Sequence, residues 1–126
     1  EAFDEYTEIE LAGGIAFGTG EHPTTRHCLR WISNVIPPLL DSEKKEEKIN
    51  FLDYGAGSGV LGLAACSLAS SSPPTESPIR AIGVEIDLDA VNIANENAAA
   101  NNLPMYNYLP RPSDDDDPET ASLLMK

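Results

Sequence analysis

A chain of 126 residues is long enough for one hydrophobic core, but it is short for a complete open α/β sheet with helices on both faces. A hydrophobic content of 41% is typical of a globular protein, and no apolar run approaches the roughly 20 residues that span a bilayer. We therefore expect no membrane insertion. The net charge of -13 opposes binding to a phosphate backbone, so we expect no direct contact with nucleic acid; a basic partner is easier to accommodate.

The first 40 residues predict a strand, a loop and a helix. Residues 8–12 alternate polar and apolar side chains, as a half-exposed strand does. Apolar residues then recur at three- and four-residue spacing over 28–36, which predicts an amphipathic helix. We expect Thr24 or Thr25 to cap this helix and the Pro-Pro pair at 37–38 to end it.

Four side chains in the apolar segments are of types that often have functional roles, but packing roles are expected for all of them. His27 and Trp31 fall in the first helix and are predicted to pack against its neighbours. Cys28 and Cys66 lie far apart, and neither has a second Cys or a spaced His nearby, so the sequence predicts no metal site. We expect both cysteines to be small core residues in a reducing compartment.

A charged linker at 41–48 precedes the part of the sequence with the clearest pattern. Residues 49–52 predict a buried strand that runs into the glycine-rich segment 53–59. The largely apolar stretch 60–68 then predicts a helix whose alanines permit close packing on a sheet. The Ser- and Pro-rich residues 70–74 predict an exposed loop.

A second strand-and-helix unit follows. Residues 79–84 predict a strand, Asp87 is a plausible cap for a helix that ends near 101–104, and 105–109 predict a third strand. Alternating strands and helices are typical of right-handed crossovers in a doubly wound, mainly parallel sheet. Residues 110–126 form an acidic tail.

The turn that carries Gly55, Gly57 and Gly59 follows a strand and opens a helix, where a cofactor must approach the backbone closely. Residues 57–62 formally match the G-x-G-x-x-G pattern of dinucleotide-binding proteins. Asp53 argues against that interpretation, because its carboxylate would face a negatively charged pyrophosphate. The same carboxylate would favour S-adenosylmethionine, which carries a sulfonium and an amino group.

Glu85 ends the second strand. A carboxylate at this position can accept hydrogen bonds from both hydroxyls of a ribose, which suits either cofactor class. The alternative is a solvated acid that complements the dipole of the next helix. Asp87 and Asp89 are expected to cap that helix and to place negative charge at its start.

Three segments together resemble one enzyme family. They are IAFGTGEHPTT at 15–25, LDYGAGSGVL at 52–61 and GVEID at 83–87. Their order and spacing are similar to those of the ribosomal protein L11 methyltransferase (PrmA-type) family. The glycine motif is shared by many methyltransferases, whereas the first segment is far more specific. The resemblance covers most of residues 9–103.

The resemblance implies a Rossmann-like class I methyltransferase fold that binds S-adenosylmethionine. Thr25 resembles the cofactor-contacting threonine of the family, Gly55 its first motif glycine and Glu85 its ribose-binding acid, which is usually Asp. With Asp53 and Gly57 these residues form the expected cofactor site. No catalytic residue is assigned, because the donor is already activated and the protein mainly aligns and shields the reactants.

The segment at 15–25 contains two further residues of interest, His22 and Phe17. His22 is beside a proline in a turn, and we expect it to order the loop rather than to act as a general base. Phe17 either walls the methyl-transfer cavity or packs in the core.

The family comparison also predicts the organisation of the chain. The family's substrate-recognition domain has no counterpart here, so we expect one partial, apparently truncated methyltransferase domain. The implied activity is transfer of methyl to lysine or N-terminal amines of a basic ribosomal protein. A dinucleotide-dependent oxidoreductase and a non-catalytic cofactor-binding module are the alternatives. We expect an intracellular protein, in the cytoplasm or, in a eukaryote, in a mitochondrion or chloroplast. The sequence divides into 1–40, the linker 41–48, the cofactor-binding core 49–109 and the tail 110–126.

Overall fold

Strands and helices alternate along the chain. The computed structural model describes residues 7–12, 22–41, 47–69, 71 and 73–110. Within them the elements in chain order are α1 (Pro23–Leu40), β1 (Ile49–Tyr54), α2 (Val60–Ser67), a 3-10 helix (Pro74–Glu76), β2 (Ile79–Val84), α3 (Leu88–Ala100) and β3 (Met105–Tyr108). The predicted positions of β1, β2, β3 and α3 are confirmed. Most of the charged linker and nearly all of the acidic tail lie outside the described residues.

The strands form one parallel sheet with the order β1-β2-β3. Its register places Asp53 opposite Gly83 and Gly83 opposite Asn107, so these three residues lie side by side across the sheet. Because the strands are parallel, all their carboxyl ends meet at one edge. The expected α/β sheet is confirmed, and it corresponds to part of a Rossmann-like methyltransferase fold.

One face of the sheet carries the hydrophobic core. The apolar face of α2 packs on the strands, α1 packs on α2, and α3 packs beside β3. On the opposite face the described part of the chain leaves Leu52 and Tyr106 largely exposed. The core side chains that are essentially inaccessible to solvent are Leu63, Ala65, Cys66, Ile79, Ala81, Val91 and Ala94.

Helix α1 differs from its prediction at both ends. Its cap is His22, whose Nδ1 accepts a hydrogen bond from the Thr24 N–H at 3.2 Å, so the predicted threonine cap is wrong. Pro23 stands at the first helical position, where a missing N–H is no loss. The proline pair at 37–38 does not end the helix. A proline forfeits its own N–H but keeps its carbonyl, and Asp41 N–H donates to Pro37 O at 3.3 Å.

The packing predicted for two side chains of α1 is wrong. Trp31 is 58% exposed and His27 is also exposed, because the buried stripe of the helix runs through Ile32 and Ile36. Cys28 is only half-buried, whereas Cys66 is a core residue as expected. Burial raises the pKa of the Cys66 thiol to about 11, opposed by a hydrogen bond with the backbone of Ala81.

The segment at 8–12 is not a strand. No backbone of the sheet pairs with it. Instead Asn101, the cap at the carboxyl end of α3, supplies both partners of Glu10: its Oδ1 accepts from Glu10 N–H at 2.8 Å, and its Nδ2 donates to Glu10 O at 2.7 Å. The alternating side chains still have a physical basis, since Ile9 and Leu11 pack against the core.

Candidate functional site

A glycine turn lies at the carboxyl edge of the sheet, between β1 and α2. Gly55, Gly57 and Gly59 have φ of 80°, 53° and 84°, values that favour glycine over other residues. The N–H groups of Gly55 and Ala56 both donate to Val84 O, at 2.7 and 3.1 Å. These bonds tie the turn to the end of β2, where the next candidate residue stands.

The side of Gly55 that would carry a side chain is open. A Cβ built on Gly55 would meet no atom of the described residues within 4 Å, so within them the backbone of the turn is uncovered. Gly57 and Gly59 are buried beneath it, and Gly59 lies against Ala94 of α3. A ligand can therefore approach the backbone at Gly55 without displacing protein atoms.

Glu85 reaches across the edge of the sheet to the glycine turn. Its Oε2 accepts a hydrogen bond from Gly57 N–H at 3.0 Å. Its Oε1 accepts from the N–H groups of Ile86 at 2.8 Å and Asp87 at 3.3 Å. Each carboxylate oxygen has more than one acceptor position, so these bonds orient the group and leave capacity for a further donor. Asp87 in turn caps α3 as predicted, by accepting from Asp89 N–H at 2.9 Å.

Asp53 lies beneath the turn, with only 7% of its surface exposed. Desolvation raises the pKa of its carboxyl, the backbone amide of Gly62 opposes this shift, and the nearby Glu85 raises the pKa further. Among the described residues, no group donates a hydrogen bond to the buried Oδ2. A cationic ligand at this edge would relieve the repulsion between the two carboxylates.

Thr25 is the one predicted site residue that the structure does not join to the others. It is half-buried in the first turn of α1, and no hydrogen bond of the described residues links it to the glycine turn. Phe17 lies outside the described residues. Asp53, Gly55, Gly57 and Glu85, by contrast, are brought together at one edge.

Two residues of this region were not predicted. Ile86 is 82% exposed directly after Glu85, and an apolar residue between two acids was the available signal. Asn97 is buried on α3 and donates to Ser58 O in the glycine turn at 2.8 Å. Its signal was a polar side chain on the helix face that carries Ala90, Ala94 and Ala98.

The chemistry of this edge can be stated from its groups. Two carboxylates stand beside open glycine backbone, and Glu85 already occupies the N–H of Gly57. A pyrophosphate would meet repulsion from Asp53 and Glu85, whereas a ligand with a positive charge and a ribose would meet acceptors. Within the described ranges, no three His, Cys, Asp or Glu side chains form a group that could hold a metal ion, and no helix is long and apolar enough to cross a membrane.

Comparison with known proteins gives a consistent result. A model of the family "Ribosomal protein L11 methyltransferase (PrmA)" matches residues 2–120. Three curated proteins named ribosomal protein L11 methyltransferase are similar over most of the chain. That of Neisseria meningitidis serogroup C is 42% identical over 102 residues, which are 81% of this chain and 29% of the relative. That of Chromobacterium violaceum is 39% identical over 102 residues, 81% of this chain and 28% of the relative. That of Pectobacterium carotovorum is 38% identical over 105 residues, 82% of this chain and 30% of the relative. The chain thus spans less than a third of the length of these relatives.

Proposed function

Because the chain belongs to the ribosomal protein L11 methyltransferase (PrmA) family, we propose that it binds S-adenosylmethionine at the carboxyl edge of its sheet and serves methyl transfer to a ribosomal protein. The family assignment removes the reason to pursue the dinucleotide alternative. Gly62, the third glycine of the formal dinucleotide pattern, stands where α2 lies close to the sheet, since a Cβ there would be 2.5 Å from Met105 Cε.

The observation that carries the proposal is the contact between Gly57 and Glu85. It holds a carboxylate at the end of β2 directly beside the open glycine turn. A ribose seated over the turn would find in Glu85 an acceptor for a hydroxyl, already oriented by three backbone N–H groups. The longer arm of Glu, compared with the usual Asp, is what reaches back to Gly57.

Asp53 supports the same ligand from below. Its carboxyl lies close enough to Glu85 for the two acids to interact, so the edge carries two neighbouring acidic groups. The amino group and the sulfonium of the cofactor carry the complementary sign. Ile86, exposed beside the ribose acceptor, would cover an apolar face of the base, and Thr25 would contact the cofactor from α1.

When bound, S-adenosylmethionine supplies a methyl group activated by its sulfonium charge. The described residues then have two tasks, to orient the nucleoside through Glu85 and to balance charge through Asp53. Neither task requires an acid–base pair. We propose lysine or N-terminal amines of ribosomal protein L11 as the acceptors, in keeping with the names of the relatives, and a location where ribosomes are assembled: the cytoplasm or, in a eukaryote, an organelle.

The test is transfer of radiolabelled methyl from S-adenosylmethionine to purified ribosomal protein L11. The Glu85→Ala variant should lose most of the incorporation, and Glu96→Gln, which removes an exposed charge on α3 instead, should keep it. Peptide mapping of the product would distinguish lysine from N-terminal amines.

Two outcomes would overturn parts of the proposal. Cofactor binding without transfer to L11 would favour the non-catalytic module. Transfer that is unaffected by Glu85→Ala would remove the site from the account while leaving the family assignment intact.

A further inference from the structure

The side chain of Asn97 connects two segments that are far apart in the sequence. Its Nδ2 donates to Ser58 O in the glycine turn at 2.8 Å, and its Oδ1 accepts from Ala12 N–H at 2.7 Å. The residue is only 1% exposed. Each end of the amide thus has a partner of matching type, and the two partners belong to different parts of the fold.

Neither the glycine turn at Ser58 nor the segment at 7–12 belongs to a helix or a strand. Ser58 stands between two glycines with positive φ, in a stretch that no helix or strand fixes. The segment at 7–12 is not part of the sheet either. A buried amide that bonds to both can therefore hold one in register with the other, because breaking either bond would leave a buried polar group unpaired.

Asn101 strengthens this arrangement one helical turn away. It bonds to both backbone groups of Glu10, and its Nδ2 also donates to Asn97 O at 2.7 Å. Residues four apart on a helix lie on one face, so α3 presents two amides in a row to the segment. No hydrogen bond of the described residues joins the Asn101 side chain to the glycine turn. A substitution at Asn101 therefore perturbs the same connection from its other end.

We propose that Asn97 is a positioning residue for the cofactor site, which couples the segment at 7–12 to the glycine turn. The coupling itself is a property of the ligand-free protein, whereas its effect on cofactor affinity rests on the proposed function. Loosening the segment at Asn101 should therefore loosen the turn, although the two are not in contact. A purely local, space-filling role for Asn97 would not transmit this change.

Asn95 offers a matched control on the same helix. Its side chain also bonds to both groups of one backbone residue, accepting from Asn107 N–H at 2.9 Å and donating to Asn107 O at 3.1 Å. It contacts β3 rather than the segment or the turn. Replacing it removes similar bonds between α3 and β3, while the bonds of Asn97 and Asn101 to the segment at 7–12 stay in place.

The first measurement is residue-resolved amide hydrogen exchange in the full ligand-free chain. Asn101→Ala should speed exchange at Glu10 and also at Gly57 and Gly59, whose N–H groups are bonded within the site. The same substitution in an Asn97→Ala background should leave the turn unchanged relative to that background. Asn95→Ala should speed exchange at Asn107 and leave Glu10 and Ala12 as in wild type. Wild-type exchange in the turn of Asn101→Ala would overturn the coupling.

Asn97→Asp separates the two bonds of the amide. An ionised aspartate still accepts from Ala12 N–H but cannot donate to Ser58 O, so this variant is measured at alkaline pH, which favours the ionised form. It should loosen the turn while protecting Ala12, and it keeps the proposal testable if Asn97→Ala fails to fold. Protection of the turn equal to wild type in Asn97→Asp would contradict the proposal.

The second measurement is the affinity for S-adenosylhomocysteine. Asn97→Asp should weaken it about tenfold and Asn101→Ala less. Unchanged affinity in Asn97→Asp would overturn the positioning role. If the wild type fails to bind while Asn101→Ala still loosens the turn, the proposed function fails and the coupling stands.

Discussion

Asn107 fills the space that a side chain at Gly83 would occupy. The two residues are direct neighbours on β2 and β3, and a Cβ on Gly83 would collide with Asn107 Oδ1 and lie 2.9 Å from Ala56 Cβ. Asn107 cannot easily turn away, because Asn95 holds its backbone and accepts from its Nδ2 at 3.1 Å. Gly83 is thus required by the packing beneath the glycine turn.

We therefore expect Gly83→Ala to destabilise the protein by about 1–3 kcal/mol, the usual effect of overpacking a tight core. Chemical denaturation measures this change. Gly62→Ala is the control, because its Cβ would meet the flexible end of Met105 and alanine is the better helix former, so its loss should be smaller. Equal stability of Gly83→Ala and wild type would show that the contact is not tight.

Glu85 should be recognised through the ribose of the ligand. Glu85→Gln removes the charge of the acceptor, so we expect its affinity for S-adenosylhomocysteine to fall about tenfold to a hundredfold. An analogue that lacks both ribose hydroxyls should bind wild type and Glu85→Gln with similar affinity. Competition binding with the two ligands gives this comparison. A loss of the same size for both ligands would mean that Glu85 acts elsewhere.

The buried Asp53 should lower the stability of the fold and raise the affinity for the cofactor. Burial raises its pKa in the folded state, so the folded protein holds a proton that the unfolded chain has released, and stability falls as pH rises from about the ordinary value of 3.8 through the raised pKa. Asp53→Asn lacks this dependence. Its advantage in unfolding free energy should grow with pH above about 4 and then level off, while its cofactor affinity falls. A stability difference that does not change with pH would contradict this view.

The two cysteines should react at different rates. The pKa of Cys66 is raised to about 11, so only about one thiol in a thousand is ionised at pH 8, and the side chain is inaccessible. Iodoacetamide should therefore modify the half-buried Cys28 first and reach Cys66 only on unfolding. Mass spectrometry of digested samples measures both rates. Early modification of Cys66 in folded protein would refute its core position.

The sheet could be predicted from the sequence because its signals are local. The strands at 49–54, 79–84 and 105–108 are short apolar runs, and each of the first two is followed by a turn and an amphipathic helix. Two features of α1 could not be predicted from the sequence: its cap at His22 and its continuation through Pro37 and Pro38. Both depend on which backbone groups the fold leaves without partners.

The candidate site divides in the same way. Gly55, Gly57 and Glu85 follow from strand ends and glycine spacing, and the structure joins the last two by a hydrogen bond. The bonds of Asn97 to Ser58 and Ala12 span 39 and 85 residues of sequence, and the burial of Asp53 likewise depends on tertiary packing. No local pattern encodes such pairs, because each partner alone is an ordinary polar residue.

Calorimetric titration of the folded chain with S-adenosylhomocysteine tests the central claim most directly. Saturable binding that Glu85→Ala and Asp53→Ala each weaken at least about tenfold, and that Glu96→Gln leaves unchanged, is the predicted result. Absence of binding to a folded sample, or binding that is indifferent to both acids, would contradict the assignment of a cofactor site to the glycine turn.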